Sequence, residues 1–513
     1  MSDTKNKPEL VAQRYSKLES IQQLGFHAYP HRYDYSHTID HLLVLYQDSS
    51  KEFLEAEKII VRVCGRVVAM RGQGKAGFLN ISNGNVSLQA YIRKDDLEEQ
   101  DFALYKLLDI GDFIGIEGYL FRTKTNELTV HAQKLTFLAK SLLPLPEKWH
   151  GLADVEIRYR QRYLDLISNK DSREVFVIRS KVIKEIRSFL DARGYVEVET
   201  PMMQPLAGGA TARPFKTHHN ALDMDLFLRI APELYLKRLI VGQLERVYEI
   251  NRNFRNEGIS TQHNPEFTML EFYQSYSDYR DLMDLTEELL KQLARNLLGK
   301  EEFEYDGQHI SLFHWERYSL KEAILHFWPS PHLPSLNPEE LQVSGSLLNR
   351  ARQWNEYAGS HSLETIPISQ GLSNGALLGA LFEAVVERHL IQPTIIYDYP
   401  IELSPLSKTK ADDPSMVERF ELYMGGMEIA NAYSELNDPE EQQRRFEAQV
   451  SEREKGDEEA HQMDEDYLRA LRFGMPPTAG EGIGIDRLTM LFTNSRSIRD
   501  VILFPHLRPE KRE

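Results

Sequence analysis

The segment FRNEGISTQHNPEF, residues 254–267, combines an arginine, a histidine and carboxylates that a folded core does not require. If the segment is extended, residues two apart share a face, so Arg255 and Glu257 lie together and Phe254 can anchor in the core on the opposite side. The planar guanidinium of Arg255 suits a phosphate or a carboxylate, to which it can donate two hydrogen bonds. An Arg–Glu pair alone is more often a salt bridge, so both interpretations stay open on these residues.

Two further segments place polar side chains on one face of a strand. In EIANAYSEL, Asn431, Tyr433 and Glu435 share a face, while small alanine and serine residues occupy the other. A polar face backed by small residues, which permit close packing, predicts the floor of a pocket. In LEFY, Glu271 and Tyr273 lie side by side, which suits a cation, although a carboxylate facing water on an edge strand has the same pattern.

Glu421 and Glu428 are seven residues apart, on either side of a Gly–Gly pair. Two carboxylates with open geometry suit Mg²⁺, because this ion keeps several water ligands and relies on substrate phosphates. Spacing alone makes a metal site the minority interpretation. The single cysteine, Cys64, offers neither an internal disulfide nor a zinc cluster, which fits a reducing compartment.

Glycine and arginine are combined in TAGEGIGIDRL, residues 478–488. Gly480, Gly482 and Gly484 alternate in an extended run, which allows a ligand to approach the backbone, and Arg487 stands where a helix begins, a favourable place for an anion. The spacing does not match the dinucleotide pattern G-x-G-x-x-G, and no strand–helix–strand unit surrounds it. The segment AGGATARPF has a similar combination, because a glycine pair precedes an arginine.

The composition favours a soluble globular protein of two or three domains. The chain has 513 residues, of which 41% are apolar and 27% charged, and this length exceeds one ordinary domain. No apolar run approaches the ~20 residues of a membrane span, and the start, MSDTKNKPEL, lacks a signal-peptide core. We therefore expect a cytoplasmic protein without a membrane partner. The net charge of −17 argues against nonspecific coating of DNA.

The first part of the chain predicts a nucleic-acid-binding barrel. Residues 1–140 begin with a helical pattern and continue, from about position 60, with five strand-like segments and a helical insert at 95–108. Such a series is typical of a small closed barrel of the OB-fold type, which commonly grips single-stranded nucleic acid. Residues 141–165 begin with SLLPLPEKW, whose two prolines favour a linker.

The remainder, residues 166–513, mixes helices and strands. Helical periodicity is evident at 174–194 and near 278–298, and strand-like runs such as RVYEINRNF and RFELYMGG are interleaved with these helices. This order predicts an α+β domain in which helices flank a largely antiparallel sheet. The predicted architecture is therefore an N-terminal OB-fold barrel followed by a larger α+β domain.

Taken together, the segments resemble the three signature motifs of class II aminoacyl-tRNA synthetases. RGYVEVETP resembles motif 1, FRNEGISTQHNPEF resembles motif 2 and GIGIDRLTMLF resembles motif 3. The segments AGGATARPF, APELYLKRL and MEIANAYSELND are similar to those of the bacterial lysyl-tRNA synthetases of subclass IIb. The resemblance covers essentially the whole chain from about residue 10, and several long motifs occur in the family's order.

The resemblance implies an enzyme that activates L-lysine with ATP to lysyl-adenylate and pyrophosphate, and then transfers lysine to the 3′-terminal adenosine of tRNA(Lys). The lysine carboxylate is already a nucleophile, so positioning and neutralisation of phosphate charge do the work. By resemblance, Arg255 clamps the α-phosphate and Arg487 holds the γ-phosphate, and both are the catalytic residues. Glu421 and Glu428 fall at the Mg²⁺ positions. The implied ATP-binding residues are Arg255, Glu257, His263, Phe267, Glu421, Glu428, Gly484 and Arg487.

A lysine pocket is also implied. Glu233 and the backbone of Gly209 would receive the α-amino group, and Asn431 would assist Arg255 at the carboxylate. The ε-ammonium would be bound by two carboxylates and a phenol. The complete set implied for lysine is Gly209, Glu233, Arg255, Glu271, Tyr273, Asn431, Tyr433 and Glu435, of which Glu271, Tyr273 and Glu435 meet the ε-ammonium.

In this family the barrel reads the anticodon, and the matching positions are Arg71, Phe78, Gln89 and Glu127. An aromatic ring for stacking, with amide and carboxylate groups for base edges, suits splayed single-stranded bases. On its own, Phe78 would more often belong to a core. Motif 1 lies at a two-fold interface in this family, so the resemblance also implies a homodimer.

Three alternatives differ in recognisable features. An aspartyl- or asparaginyl-tRNA synthetase shares the barrel and the motifs, but its pocket needs a cation where this sequence has Glu271 and Glu435. A related enzyme that lysylates a protein lacks the barrel. An RNA-binding protein without catalysis would be expected to lose Arg255 or Arg487, and both are present.

Overall fold

The computed structural model describes residues 7–72, 74–146, 152, 154–210, 212–330, 332–368, 372–454, 460 and 462–510. The chain divides into two compact units, Met1–Arg173 and Glu174–Glu513. Of the predicted linker 141–165, residues 147–151 and 153 lie outside the described part, and the predicted boundaries at 140 and 165 stay predictions. No described helix combines the length and the apolar character that crossing a bilayer requires.

The first unit is built on a five-stranded barrel. Its strands are β1 (Ile60–Arg71), β2 (Ala76–Ser82), β3 (Ser87–Arg93), β4 (Phe113–Arg122) and β5 (Leu128–Ala139). They close in the order β1-β2-β3-β5-β4. Burial alternates as the sequence predicted: along β3, Leu88, Ala90 and Ile92 are buried and their neighbours are not. The predicted closed barrel is confirmed.

Helices accompany this barrel. They are α1 (Lys7–Gln23), α2 (Ile39–Tyr46), α3 (Lys51–Glu57), α4 (Glu99–Leu107), α5 (Val155–Arg160) and α6 (Arg162–Ser168). Helix α4 lies between β3 and β4, where the insert was predicted, and it packs against β5. The apolar side chains Ile21, Leu42 and Leu54 of the first three helices are fully buried in the core of this unit, so the helices complete a core that a small barrel could not fill alone.

The second unit contains an eight-stranded sheet and two small sheets. Its strands are β6 (Val196–Glu197), β7 (Met203–Gln204), β8 (Phe215–His219), β9 (Met224–Leu228), β10 (Arg246–Phe254), β11 (Glu266–Ser275), β12 (Glu302–Tyr305), β13 (Gln308–Ser311), β14 (Glu316–Ser319), β15 (Thr394–Pro400), β16 (Met416–Met424), β17 (Met427–Ser434) and β18 (Thr478–Gly484). The large sheet has the order β14-β15-β16-β17-β18-β11-β10-β6. Only its outermost pairs, β14–β15 and β10–β6, are parallel, which confirms the predicted, largely antiparallel α+β fold.

Helices of the second unit flank this sheet. They are α7 (Lys170–Asp191), α8 (Glu233–Val241), α9 (Tyr279–Leu298), α10 (Leu320–Phe327), α11 (Ser344–His361), α12 (Asn374–Val385), α13 (Pro439–Glu454), α14 (Glu465–Arg472), α15 (Ile485–Phe492) and α16 (Ile498–Val501). Helix α9 starts with a capping box between Asp278 and Asp281. Its apolar face packs with α7 and α15 on the back of the sheet, and the opposite face of the sheet carries the polar residues described below.

One local prediction was wrong. Strand β10 ends at Phe254, so Arg255 and Glu257 belong to the loop 255–265 and not to an extended strand face. Phe254 is only half-buried, whereas Asn253 before it is buried. The loop has its own hydrogen bonds: the Arg255 N–H donates to the carbonyl of Pro265 at 2.9 Å, and the Asn256 N–H donates to the carbonyl of Arg213 at 2.8 Å. In the polar, glycine-containing loop 255–265, these hydrogen bonds take the place of those that pair β10 with its neighbours.

Candidate active site

A cleft of about 450 Å³ opens on the polar face of the large sheet, over β11, β17 and β18. It brings together residues that lie far apart in sequence, from the loop before β8 to helix α15. Most of the predicted ATP and lysine residues line it: Gly209, Glu233, Arg255, Glu257, His263, Phe267, Glu271, Tyr273, Glu428, Asn431, Tyr433, Gly484 and Arg487. Glu421 and Glu435 are not among the lining residues, and their surroundings are described below.

The floor of the cleft depends on glycine in β18. This strand runs between β11 and β17, and the registers place Gly480 opposite Tyr273 on one side and Tyr433 on the other. A Cβ atom at Gly480 would overlap the ring of Tyr273 and the carboxylate of Glu435. Glycine is therefore needed here to admit polar side chains of the neighbouring strands, a different reason from the backbone approach of a ligand predicted from the sequence.

A buried carboxylate forms one end of the cleft. Glu271 is only 5% exposed, and the hydroxyl of Tyr273, two residues along β11, donates a hydrogen bond to its Oε2 at 3.1 Å. Burial and then the nearby Glu233 raise the pKa of Glu271 to about 8. The raised pKa means that this carboxyl group lacks positive charge around it, so a cationic ligand group would be favoured there.

Glu233 supplies a second carboxylate from the first turn of α8. Its Oε1 accepts hydrogen bonds at 2.5 Å from the ammonium of Lys237, one turn later, and from the hydroxyl of Tyr433 on β17. Gly209, with φ +90°, lies against this residue, since a Cβ there would stand 3.3 Å from the Cβ of Glu233. The structure therefore brings together the two groups predicted to receive an amino group.

Glu435 follows the last residue of β17, Ser434, and is 1% exposed. Its Oε1 lies beside Gly480 and the Tyr273 ring on the floor of the cleft, on the face that the sequence predicted, although Glu435 is not among the lining residues. Its carboxylate forms an ion pair with the ammonium of Lys237. Sequence reasoning missed Lys237, although its spacing of four residues from Glu233 on one helix was a signal for such a pair. Contact between Glu435 and a ligand stays a prediction.

The guanidinium of Arg255 lines the cleft, and no described residue forms an ion pair with it. Among the described residues, no carboxylate lies within ion-pair distance of its guanidinium, and its buried Nε has no hydrogen-bond partner. The guanidinium carbon lies 5.1 Å from the centre of the Phe267 ring. Burial lowers the pKa of Arg255, although Glu257 and Glu428 oppose this effect, and Arg487 lowers the pKa further. A partly buried cation that forms no direct ion pair favours an anionic ligand.

At the other end of the cleft, Arg487 is held by three groups. Its Nη1 donates to the carbonyl of Glu428 at 2.7 Å and lies 3.3 Å from the Oε2 of the same residue. Its Nη2 lies 3.2 Å from the Nε2 of His263, whose Nδ1 is 2.9 Å from the hydroxyl of Ser260. Burial and then Arg487 lower the pKa of His263, so the imidazole is neutral at pH 7 and accepts from Arg487.

The carboxylate of Glu421 accepts three hydrogen bonds. Its Oε1 accepts from Arg419 at 2.5 Å, and its Oε2 accepts from the hydroxyls of Tyr399 at 2.8 Å and Tyr423 at 2.6 Å. Arg419 itself lines the cleft and donates from Nε to the Oδ1 of Asn431 at 3.0 Å. Sequence reasoning missed Arg419, although it lies two residues from Glu421 on one strand and so shares its face.

The two carboxylates proposed for Mg²⁺ come from the facing strands β16 and β17. Burial within the cleft and then the Glu421 carboxylate raise the pKa of Glu428. The raised pKa of Glu428 beside a second carboxylate, together with the oxygen chemistry of both groups, fits a divalent cation. No cluster of three or more His, Cys, Asp or Glu side chains suited to a metal occurs within the described residues, so protein oxygens alone would not complete the coordination.

The four predicted anticodon residues lie on one region of the barrel. Arg71 pairs with Phe78 across β1 and β2, and the Phe78 ring lies 5.0 Å from that of Tyr91 on β3. Gln89 donates from Nε2 to the Oε2 of Glu127 at 3.0 Å. Sequence reasoning missed the aromatic residues beside Phe78, for which alternation along the strands was an available signal: Tyr91, Tyr119, Phe121 and His131.

Comparison with known proteins shows to which protein family the whole chain is related. Residues 154–508 match the family described as tRNA synthetases class II (D, K and N). The lysine–tRNA ligase of Pelotomaculum thermopropionicum is 52% identical to this chain, over 98% of this chain and 96% of its own length. This chain belongs to the lysine–tRNA ligase family of class II tRNA synthetases. The predicted family resemblance is confirmed.

Further relatives and the barrel agree with membership of this class II family. The lysine–tRNA ligases of Syntrophomonas wolfei and Carboxydothermus hydrogenoformans are 50% and 51% identical, over 99% and 98% of this chain and the same shares of their own lengths. Residues 61–138 match the family of the OB-fold nucleic acid binding domain. The synthetase therefore combines a nucleic-acid-binding barrel with a class II catalytic domain, as predicted from the sequence.

Proposed function

We propose that this class II synthetase is an ATP-dependent lysine–tRNA ligase, which forms lysyl-adenylate and pyrophosphate and then transfers lysine to the 3′-terminal adenosine of tRNA(Lys). The observation that carries the proposal is the guanidinium of Arg255, which lines the cleft without an ion-pair partner among the described residues and whose charge interacts with Glu257, Glu428, Arg487 and Glu271. Lysine with its ammonium groups toward Glu271 and Glu233, and ATP toward Arg487, would complement this distribution of charge.

The proposed adenylation needs no activated side chain. The lysine carboxylate attacks the α-phosphorus and pyrophosphate leaves, so the protein must align the two anions and neutralise their charge. Arg255 is suited to both tasks because its planar fork can bind the carboxylate and the α-phosphate at once. Phe267, beneath this guanidinium, offers a stacking surface for adenine, and Arg487 with His263 would bind the terminal phosphates.

Mg²⁺ is the proposed metal, held by Glu428 and Glu421 and by the phosphates of ATP. When bound, it would neutralise phosphate charge during adenylation. Of the two ligands, Glu428 lines the cleft and is the more accessible, whereas the hydrogen bonds of Arg419 and two tyrosines orient Glu421. Both residues would supply carboxylate oxygens, which are ligands that Mg²⁺ prefers together with water.

The discriminating experiment is amino-acid-dependent exchange of pyrophosphate into ATP, with Mg²⁺ and without tRNA. We expect lysine, and no other of the twenty amino acids at comparable efficiency, to support exchange, because Glu271 and Glu233 favour a side chain and an α-amino group that both carry positive charge. Exchange with aspartate or asparagine and none with lysine would refute the proposal. The barrel disfavours the alternative of a protein-lysylating enzyme.

We propose that the barrel binds the anticodon of tRNA(Lys) through Arg71, Phe78, Gln89 and Glu127. Replacing Phe78 with alanine should weaken tRNA binding by about 1 to 3 kcal/mol, the usual contribution of one stacked base. Binding is measured at fixed salt concentration, because phosphate contacts depend on salt. The matched control is Phe113→Ala, an exposed phenylalanine on β4 of the same barrel. Unchanged tRNA affinity in a folded Phe78→Ala protein would assign the ring to packing.

We also propose a cytoplasmic homodimer. The segment that resembles motif 1 exposes the apolar side chain of Val196 on β6, at 49%, and helix α7 before it exposes that of Val177, at 44%. Closed two-fold dimers are also the most common oligomers. Sedimentation should give twice the monomer mass of 59.5 kDa, and a monomer at micromolar concentration would refute the dimer. The cytoplasm is proposed because tRNA charging takes place with protein synthesis, and a lone cysteine fits its reducing conditions.

A further inference from the structure

The guanidinium of Arg419 joins strands β16 and β17 to the chain segment that follows β15, at the wall of the cleft. Its Nη2 donates to the Oε1 of Glu421 at 2.5 Å, and its Nε donates to the Oδ1 of Asn431 at 3.0 Å. Its Nη1 donates to the carbonyl of Leu403 at 3.0 Å and to the hydroxyl of Ser404 at 2.8 Å. Because all three nitrogen atoms have partners, the planar guanidinium is held in one orientation.

The hydrogen bond from Arg419 decides which way the amide of Asn431 faces. A guanidinium only donates hydrogen bonds, so the amide must turn its oxygen toward Arg419. Its Nδ2 then lies on the other edge of the amide. Asn431 lines the cleft, and among the described residues no group accepts a hydrogen bond from this Nδ2. The NH2 group of Asn431 is therefore available to a ligand.

The reversed orientation of this amide is disfavoured on both of its edges. Its NH2 group would point at a guanidinium, which cannot accept, and its oxygen would face the carboxylate of an amino acid, which is also an acceptor. The strand register supports the observed arrangement, since Glu421 pairs with Asn431 and Arg419 pairs with Tyr433 across β16 and β17. Arg419 and Asn431 are thus diagonal neighbours on one face of the sheet, a separation that a long side chain spans.

We propose that Arg419 is a specificity-determining positioning residue, which holds the amide of Asn431 with its NH2 group toward the substrate. The cleft then prefers an amino acid with a free carboxylate to the same amino acid in its carboxamide form, whose own NH2 group would meet a second donor. The inference rests on the proposed lysine activation and deepens it, because the free carboxylate is the group that attacks the α-phosphorus. Arg419 acts through Asn431 and need not touch the substrate.

Calorimetric titration of the full-length protein with L-lysine and with L-lysinamide, without ATP and Mg²⁺, tests this inference. We expect the unaltered protein to bind lysine more tightly than lysinamide. In Arg419→Met the amide of Asn431 is free to turn, so the ratio of the two dissociation constants should fall at least about 5-fold, as for loss of a hydrogen bond to a charged group. All proteins are compared at one pH, so that differences in ligand protonation cancel. An unchanged ratio in a folded Arg419→Met protein would overturn the inference.

A second comparison remains decisive even if Arg419→Met does not fold. Arg419→Met leaves the carboxylate of Glu421 without its cation, whereas Arg419→Met/Glu421→Gln removes both charges of the pair. The double variant is compared with Glu421→Gln, in which Arg419 still holds Asn431. Glu421→Gln should keep the discrimination of the unaltered protein, since the titration contains no Mg²⁺, and the double variant should lose it. Equal ratios in these two proteins would refute the role of Arg419.

Arg445 provides a matched control on the chain segment that Arg419 also holds. It donates to the carbonyls of Ser404 at 3.1 Å and Ser407 at 2.7 Å but forms no hydrogen bond with Asn431. Arg445→Met should therefore retain the ratio of the unaltered protein. If Arg445→Met instead lost discrimination as Arg419→Met does, the effect would belong to the position of the segment, and the inference would fail.

The route through Asn431 is tested in an Asn431→Ala background. There, Arg419→Met should cause no further fall in the ratio of dissociation constants, because the amide that it orients is absent. A further fall of the same size would overturn the inference, since Arg419 would then act by another route. A residue that only supports folding would change the melting temperature of the protein and would leave the ratio unchanged.

These measurements also separate the inference from the proposed function. If the unaltered protein shows no lysine-dependent pyrophosphate exchange, the proposed activity itself is refuted. If the unaltered protein activates lysine but its ratio of dissociation constants does not depend on Arg419, only the role of Arg419 is refuted.

Discussion

Replacing Arg255 with alanine should reduce lysine-dependent pyrophosphate exchange by about 10³-fold or more, the magnitude found when a preorganised charge at a transferring phosphoryl group is removed. The effect is expected to be large because this guanidinium lines the cleft and has no ion-pair partner within the described residues, so its hydrogen-bond donors can bind the ligands. The loss should appear in kcat as well as in KM for lysine, since both reacting anions meet at this residue.

The matched control for Arg255 is Arg252→Ala, on the preceding strand. Arg252 is 41% exposed and pairs with Glu266 at 3.4 Å, and it does not line the cleft. The control removes the same charge and should retain most of the exchange activity. Arg255→Lys keeps the charge but loses the planar fork, so it should remain strongly impaired. An Arg255→Ala protein with more than a tenth of normal exchange would contradict the assigned role.

Replacing Glu271 with glutamine should reduce kcat/KM for lysine by at least about 10²-fold, which corresponds to roughly 2.7 kcal/mol. The reason is that the substrate ammonium would enter a buried pocket without its principal counter-ion. KM for ATP should change far less, because Arg255, Phe267 and Arg487 are unaltered. If Glu271→Gln instead impaired ATP binding and kept normal lysine activation, the carboxylate would belong to the nucleotide site.

Glu481 provides the matched control for Glu271. It is paired across the sheet with Phe272, the neighbour of Glu271, and is also buried, at 2% exposure. Burial raises its pKa to about 8, as it does for Glu271, but both oxygens of Glu481 lie 2.7 Å from the hydroxyl oxygen of Thr286 on α9, behind the sheet. Glu481→Gln should therefore retain lysine activation. Such a result would show that replacing a buried carboxylate impairs lysine activation only when the carboxylate lies on the cleft side of the sheet.

The pH dependence of lysine activation should report Glu271 directly. Its pKa in the free protein is raised to about 8, so at pH 7 the carboxyl group is mostly protonated and must lose a proton before it can bind an ammonium. The value of kcat/KM for lysine should therefore rise about tenfold per unit between about pH 6 and the pKa, and level off above it until an ammonium group of the substrate loses its proton. The rise should disappear in Glu271→Gln, and a flat profile in the unaltered protein would contradict the assignment.

Local patterns in the sequence were sufficient for the parts of the fold that depend on neighbouring residues. The five barrel strands, helix α9 and the paired faces of β11 and β17 were predicted correctly, because alternation and helical periodicity record which side of an element is buried. The grouping of Glu271 with Tyr273, and of Asn431 with Tyr433, follows from that same period of two. Membership of the synthetase family was also available from the order of the motifs.

The tertiary structure decided which partner each charged residue has. Lys237 meets Glu435 although almost 200 positions separate them, and Glu421 accepts from Tyr399 on another strand; no local pattern specifies such pairs. The loop 255–265 likewise leaves the strand because it finds hydrogen bonds with a distant loop. The alternation of residues predicts which faces are polar, but the packing of distant elements pairs most buried charges and leaves Arg255 and Glu271 without an ion-pair partner among the described residues. The physical reason is that buried charges are balanced across packed elements, over distances that sequence spacing does not encode.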